Sequence, residues 1–194
     1  MKVSKIILAI AAVVAVAMPM KAQSAEEGWT KIEPTELKNA ISLFDEDWFA
    51  LAAGKQGDMN AMTISWGGIG ELWGKPVVTV YVRKSRHTHK FMELYPYFTL
   101  TAFPESKRDA LQYIGSHSGS KEKDKIAKAG LTPEFTALGN PIFKEGNLAI
   151  ECRIIYEAPL ELDGMLDDEV IKDYKETPDY HTMYIGEIVN VWKR

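Results

Sequence analysis

Four basic side chains crowd the stretch "VRKSRHTHK", residues 82 to 90: Arg83, Lys84, Arg86 and Lys90, with the hydroxyl of Thr88 among them. A strand pattern runs into this stretch and a helical pattern leaves it. A helix start offers free amides and the positive end of a dipole, and guanidinium groups complete a cage for a phosphate. Thr88 reads as the helix cap and adds a hydroxyl. The alternative is a solvated basic turn, the common fate of a charge run. His87-x-His89 offers two metal ligands, but no third lies close in sequence. "GSHSGSKEKDK", residues 115 to 125, is a second polar loop running into a basic helix, and reads either as a second phosphate contact or as a mobile surface loop. Ser118 adjoins His117, but no G-x-S-x-G elbow exists. The acid clusters at residues 45–47 and 167–169 fall at element ends, without the paired-carboxylate spacing of a hydrolase. His181 opens the last strand pattern and reads as structural unless the fold brings it to the glycine-rich junction described next.

That junction lies in "MNAMTISWGGIGELWGKPVVTVYV", residues 59 to 82, where four glycines and Trp73 separate two strand patterns. It fails as a dinucleotide loop twice. The third glycine of G-x-G-x-x-G would fall at Trp73, and a strand follows where a helix should begin. Two readings remain: an irregular strand connection, or bare backbone that lets a flat ligand or a second chain approach a sheet edge. Trp66 and Trp73 would offer flat apolar faces to an aromatic ligand.

The surrounding elements must position these groups. A short helix is expected from Thr35. Residues 48 to 66 read as a hairpin with its turn at Gly54–Asp58, and "VVTVYV" as a strand covered on both faces. "THKFMELY" and "ESKRDALQYI" read as helices, the second with Ala110, Leu111 and Ile114 on one stripe. "KEKDKIAKAG" reads as a short helix closed by Gly130, and residues 131 to 147 as loop with one hairpin. "NLAIECRIIYEAPLEL" alternates, with Leu148, Ile150, Cys152 and Ile154 on one face and Glu151 and Arg153 on the other. "DDEVIKDY" reads as one or two helical turns. "HTMYIGEIVNVW" places Met183, Ile185, Val189 and Val191 opposite Tyr184, Ile188 and Trp192. Six or more strands with helices between them predict a mainly β fold, a β-barrel with inserted helices, and not a doubly wound sheet.

The 194 residues, 46% of them apolar, supply one sizeable core. Residues 1–22 read as a secretory signal: Lys2 and Lys5, an apolar run from Ile6 to Met18, then Pro19 and small residues, with cleavage fitting after Ala22 or Ser24. An uncleaved anchor is the alternative, but that run is short of the about 20 residues a bilayer needs. Cleavage removes Lys2, Lys5 and Lys21 and takes the formal charge from −4 to −7. An acidic exported domain, residues 23–194, is a poor partner for nucleic acid and has no membrane segment after cleavage. Cys152, the single cysteine, excludes an intramolecular disulfide, a multi-cysteine metal site and a lipid-modified terminus.

Taken in order, "NAMTISWGGIGELWGKPVVTVYVR", the R-x-x-R-x-T of Arg83, Arg86 and Thr88, "SG…DK" before "AGLTP", and "DYHTMYIGEI" resemble the flavin reductase-like, flavoredoxin-type proteins, from about Glu36 to Trp192. The resemblance implies an FMN-binding split β-barrel of Greek-key type, working as a homodimer with the flavin near the interface. It places Met62, Thr63, Ser65 and Trp66 along the isoalloxazine, Arg83, Arg86 and Thr88 on the FMN phosphate, and Ser118, Gly119 and Lys125 in the second loop. It matches His181 to a family histidine near the reactive edge of the ring, the candidate catalytic residue. The basic turn departs from the family in carrying His87 and His89, the second loop is longer, and the signal sequence is foreign to the cytoplasmic reductases. The implied function is an exported FMN-dependent oxidoreductase taking electrons from NAD(P)H or a redox partner protein. The alternatives are a non-catalytic flavin-binding or electron-relay module, and an interaction protein with an empty barrel.

Overall fold

A computed structural model describes residues 28–32 and 40–194 of the chain. The expected signal sequence and the helix expected from Thr35 lie outside the described residues. β1 (Thr30–Lys31) and a single turn, α1 (Ala40–Ser42), lead into a hairpin of β2 (Phe49–Lys55) and β3 (Asp58–Ile64). Its turn is tighter than the sequence suggested, with Lys55 opposite Asp58. The glycine-rich stretch is a strand, β4 (Gly67–Leu72), paired with β5 (Lys75–Arg83). The reading of this segment as an irregular connection is therefore corrected. Trp73 and Gly74 have φ of 56° and 68°, the double left-handed conformation of a two-residue hairpin turn whose twist matches its strands. Gly67 is required for a different reason: a Cβ there would run into the Phe44 ring and lie 2.7 Å from the Thr79 carbonyl oxygen.

After β5 come α2 (His87–Leu94), β6 (Tyr97–Ala102), α3 (Arg108–Ser116) and α4 (Lys125–Lys128). A small hairpin follows, β7 (Pro133–Phe135) with β8 (Pro141–Phe143), then β9 (Leu148–Pro159), α5 (Asp168–Glu176) and β10 (His181–Lys193). Among the described residues one antiparallel sheet runs β3-β2-β6-β9-β10-β5-β4, with β1 paired to β10. Its two ends, β3 and β4, are consecutive in sequence yet unpaired. Ser65 and Trp66 join them across the seam of this barrel.

The core explains why α3 can lie close. Phe49 and Leu51 of β2 point into the barrel with Val78, Val80, Val82 and Tyr184. Ala50 and Ala52 face outward, and their small side chains admit Leu111 and Ile114 of α3. β5 is fully buried on its Val78–Val80–Val82 face and only half-covered at Thr79 and Tyr81, so the expectation of two covered faces is met on one. Thr88 lies inside α2, whose N-cap is Arg86; the expected cap was two residues late.

One strand reading is also corrected. In β10 the register slips between Ile188 and Asn190, leaving Val189 as an extra residue. Past this bulge Val191 joins Tyr184 and Ile188 in the barrel core, and strict alternation put it on the other face. In β9, Glu151 lies on the face expected for it, opposite Ile150 and Cys152, and is fully buried there. Its carboxylate accepts from the Thr136 hydroxyl and from the amides of Asn140 and Asn190 at 2.7 Å each. These neutral donors make the buried charge tolerable and tie the β7–β8 hairpin to the sheet.

Candidate functional site

Three contiguous cavities open along the β3–β4 seam. The first, of about 210 Å³, lies between the start of α2 and the loop after α3, and its wall includes Asn60, Arg83, Arg86, Thr88, Ser118 and Lys125. Local chemistry sets its polarity. The C-terminal carbonyls of α3 carry partial negative charge and attract cations. Lys125 Nζ donates to the carbonyl oxygens of Ile114 at 3.0 Å and His117 at 2.8 Å, and Arg86 donates to that of Gly115 at 2.9 Å. Lys125 is buried, and desolvation, reinforced by the Arg86 charge and opposed by Glu122, brings its pKa down to about 8. An ammonium has three donors, so one remains for a ligand.

Thr88 is buried beside this cation. Asn60 Nδ2 donates to Thr88 Oγ1 at 2.7 Å, which leaves the threonine proton to donate elsewhere. Gly119 closes the same wall: any Cβ there would strike the Asn60 amide oxygen and lie 3.2 Å from the His87 ring. The His87 pKa is lowered by burial and then by the charges of Lys90 and Lys125. His89 turns away from the cleft, 3.0 Å from the Thr182 hydroxyl and 3.5 Å from the Glu93 carboxylate. Among the described residues no three metal-ligating side chains cluster.

The second cavity, about 230 Å³, spans the seam itself, from Met62, Thr63, Ser65 and Trp66 on one side to Tyr81 and His181 on the other. Thr63 spends its hydroxyl on the Leu111 carbonyl, fixing β3 to α3, so only its remaining surface faces the cavity. A third cavity of about 770 Å³ continues under α5. Arg83 lines all three, and His181 lines the two on the seam side. Arg83 Nε donates to His181 Nε2 at 3.3 Å, so that nitrogen accepts and the imidazole proton sits on Nδ1, 2.6 Å from the Tyr174 hydroxyl. Burial first and the Arg83 charge second lower the His181 pKa and keep the ring neutral. The Trp66 ring centroid is 5.3 Å from that of His181.

Every site residue expected from the sequence lines one of these cavities. Arg83, Arg86, Thr88, Ser118, Gly119 and Lys125 meet at the cationic end. Met62, Thr63, Ser65, Trp66 and His181 meet at the seam. Sequence reasoning missed Asn60, Tyr174 and Asp179. Asp179 accepts from the Ser85 backbone at 3.2 Å and from the Ser85 hydroxyl, bracing the basic turn. "DYHTMYIGEI" held a signal for Asp179, since it stands two residues before His181. Nothing local marked Asn60.

No curated protein matches the chain. Solved structures match the fold. The FMN-binding domain of a flavin reductases-like enzyme from Shewanella baltica superposes with a TM-score of 0.62 at 19% identity, over 85% of this chain and 76% of that one. Flavoredoxin of Desulfovibrio vulgaris gives 0.60 at 24% identity, over 84% and 76%. An NADH:FAD oxidoreductase of Streptomyces globisporus gives 0.58 at 17% identity, over 76% and 75%. The model of the flavin reductase like domain matches residues 48–194, most of the chain, and the protein belongs to that family.

Proposed function

We propose that the chain binds FMN and acts as an exported flavin-dependent oxidoreductase, working as a homodimer. The observation that carries the reading is the continuity, through Arg83, of a cation-lined cleft with a seam cavity walled by Trp66 and Tyr81. The residues fit the cofactor. Arg83, Arg86 and Lys125 would hold the phosphate, and the spare protons of Thr88 and Lys125 point to an anionic acceptor. The Gly119 backbone allows close approach where a side chain would collide. Met62, Thr63, Ser65 and Trp66 would hold the ring. The flavin, when bound, supplies the electron chemistry, accepting and passing on electrons as a hydride or singly. The chain's own residues bind, orient and screen it, and His181 holds a proton on Nδ1 beside Tyr174.

FMN affinity of the purified full chain, read by quenching of flavin fluorescence, tests the cofactor assignment. Replacing both Arg83 and Arg86 by alanine should weaken binding by roughly 2–4 kcal/mol, the worth of two charge-assisted contacts. Unchanged affinity in that variant removes the phosphate assignment, and no binding by the parent chain removes the oxidoreductase. A second reading, an electron relay reduced by a partner protein, is favoured by the engagement of both His181 nitrogens, which leaves that ring no free position for proton transfer. Anaerobic mixing of the FMN-loaded chain with NAD(P)H separates the two: bleaching of the flavin band supports the reductase, and a persistent band supports the relay.

A further inference from the structure

The cavity of about 770 Å³ under α5 is the largest of the three and shares with the cationic cleft only Arg83 and Asp179. Its lining is largely apolar and aromatic, with Trp66, Tyr81 and Tyr174 beside Leu160, Val170 and Met183, and the Tyr174 ring stacks on Tyr180. Its charged lining is three carboxylates, Asp173, Glu176 and Asp179, against one cation, Arg83. The whole segment from residue 161 to 179 is built the same way, with eight acidic residues and two lysines. Arg83 Nε donates to His181 at 3.3 Å within the same lining, so this one cation is outnumbered by the carboxylates but stays part of the wall. The site is thus polarised, cationic at the phosphate cleft and acidic under α5.

We propose that this cavity is a second binding site, for a flat aromatic molecule that carries a positive charge. The volume falls in the range of small-molecule sites. Two independent features select the charge. The carboxylates attract a cation and repel an anion, and the rings of Trp66 and Tyr81 in the lining carry the negative side of the aromatic quadrupole on their faces. A second nucleotide, with its own pyrophosphate, meets the wrong sign of field at Asp173 and Glu176. The proposal rests on the flavin reading in making this cavity the neighbour of the cofactor ring.

The probes are benzyltrimethylammonium and phenylacetate, titrated calorimetrically into the FMN-saturated full chain at low salt. The cation is expected to bind at least tenfold more tightly than the anion, with the difference shrinking as salt screens the carboxylates. The pair Asp173→Asn and Glu176→Gln should bring the two probes within about twofold of each other while FMN affinity stays unchanged. Val170→Trp, at a part-exposed helix position, should intrude on the cavity and weaken binding of the cation at least tenfold without weakening FMN. The proposal is overturned if the cation does not bind, if phenylacetate binds as tightly, or if the preference survives the paired substitution. It is also overturned if NADH displaces the cation from the loaded protein. A chain that fails to bind FMN yet still prefers the cation sinks the flavin reading and leaves this site standing.

Discussion

Lys125 Nζ is buried against two carbonyl oxygens with a pKa of about 8, against 10.5 for a free lysine. Between those values the unfolded chain binds the extra proton, so this residue makes stability rise with pH from about 8 to 10.5; below 8 its burial cost is present in full. A phosphate reverses the preference, because it is held by the charged form. FMN affinity should therefore be flat up to about pH 7.5 and fall roughly tenfold by pH 9, where phosphate itself no longer titrates. Lys125→Met should bind more weakly at neutral pH and lose the slope, and a slope surviving in that variant would place the titration elsewhere. The neighbouring residues divide by how local their signal is. Arg83, Arg86 and Thr88 were legible because they share one turn of chain. Asn60 was not, since it meets Thr88 from 28 positions away and only the fold brings them together. His181 was legible as a strand-opening residue, but its proton position follows from Arg83 and Tyr174, contacts set by strand register and by α5.

Elements were legible wherever one periodicity persisted. The Ala110–Leu111–Ile114 stripe is the buried face of α3, and Leu148, Ile150 and Cys152 run along the barrel side of β9. Period-2 reading put Glu151 on the face it occupies but carried no sign of the separate hairpin that covers that face, and it failed at Val191 because a bulge adds a residue. β4 was missed because glycine carries no strand propensity; its pairing comes from the Trp73–Gly74 turn and from the space Phe44 needs over Gly67. The other register shift of the β9–β10 pair falls at Gly186, with Ile155 the extra residue in β9; an added Cβ at Gly186 would sit 2.6 Å from the Phe98 ring and 2.7 Å from Cys152 Cβ. Both neighbours are core side chains held at full burial, so neither can yield cheaply. Gly186→Ala should cost roughly 1–3 kcal/mol by overpacking, visible as a lower denaturant midpoint at unchanged slope. A midpoint equal to that of the parent would show that the strand irregularity absorbs the extra carbon.

At the scale of the molecule, the proposed export and dimer each make a demand on surfaces outside the site. Export predicts that protein recovered from its native compartment begins at Gln23 or Ala25, by intact mass. The dimer needs an apolar face beyond the barrel core, and the β4–β5 turn offers one. Trp73 is 64% exposed and Tyr156 43%, with their rings edge-to-face at 6.3 Å. A tryptophan held in the left-handed region at a turn tip is an unusual use of that residue, since the backbone there favours asparagine or glycine. A second copy covering the indole would give that choice a physical reason, because buried tryptophans dominate interface energies. Trp73→Asn isolates the point. It turns the tip into Asn-Gly, the preferred sequence for this hairpin turn, so the fold should be kept while the apolar face is lost. The variant should show unchanged thermal unfolding as a monomer and a dimer dissociation constant raised at least tenfold in sedimentation equilibrium. Because Trp73 lines none of the three cavities, FMN affinity per chain should change only as far as the flavin site draws on the second copy. A dimer unaffected by the substitution would remove this face from the interface.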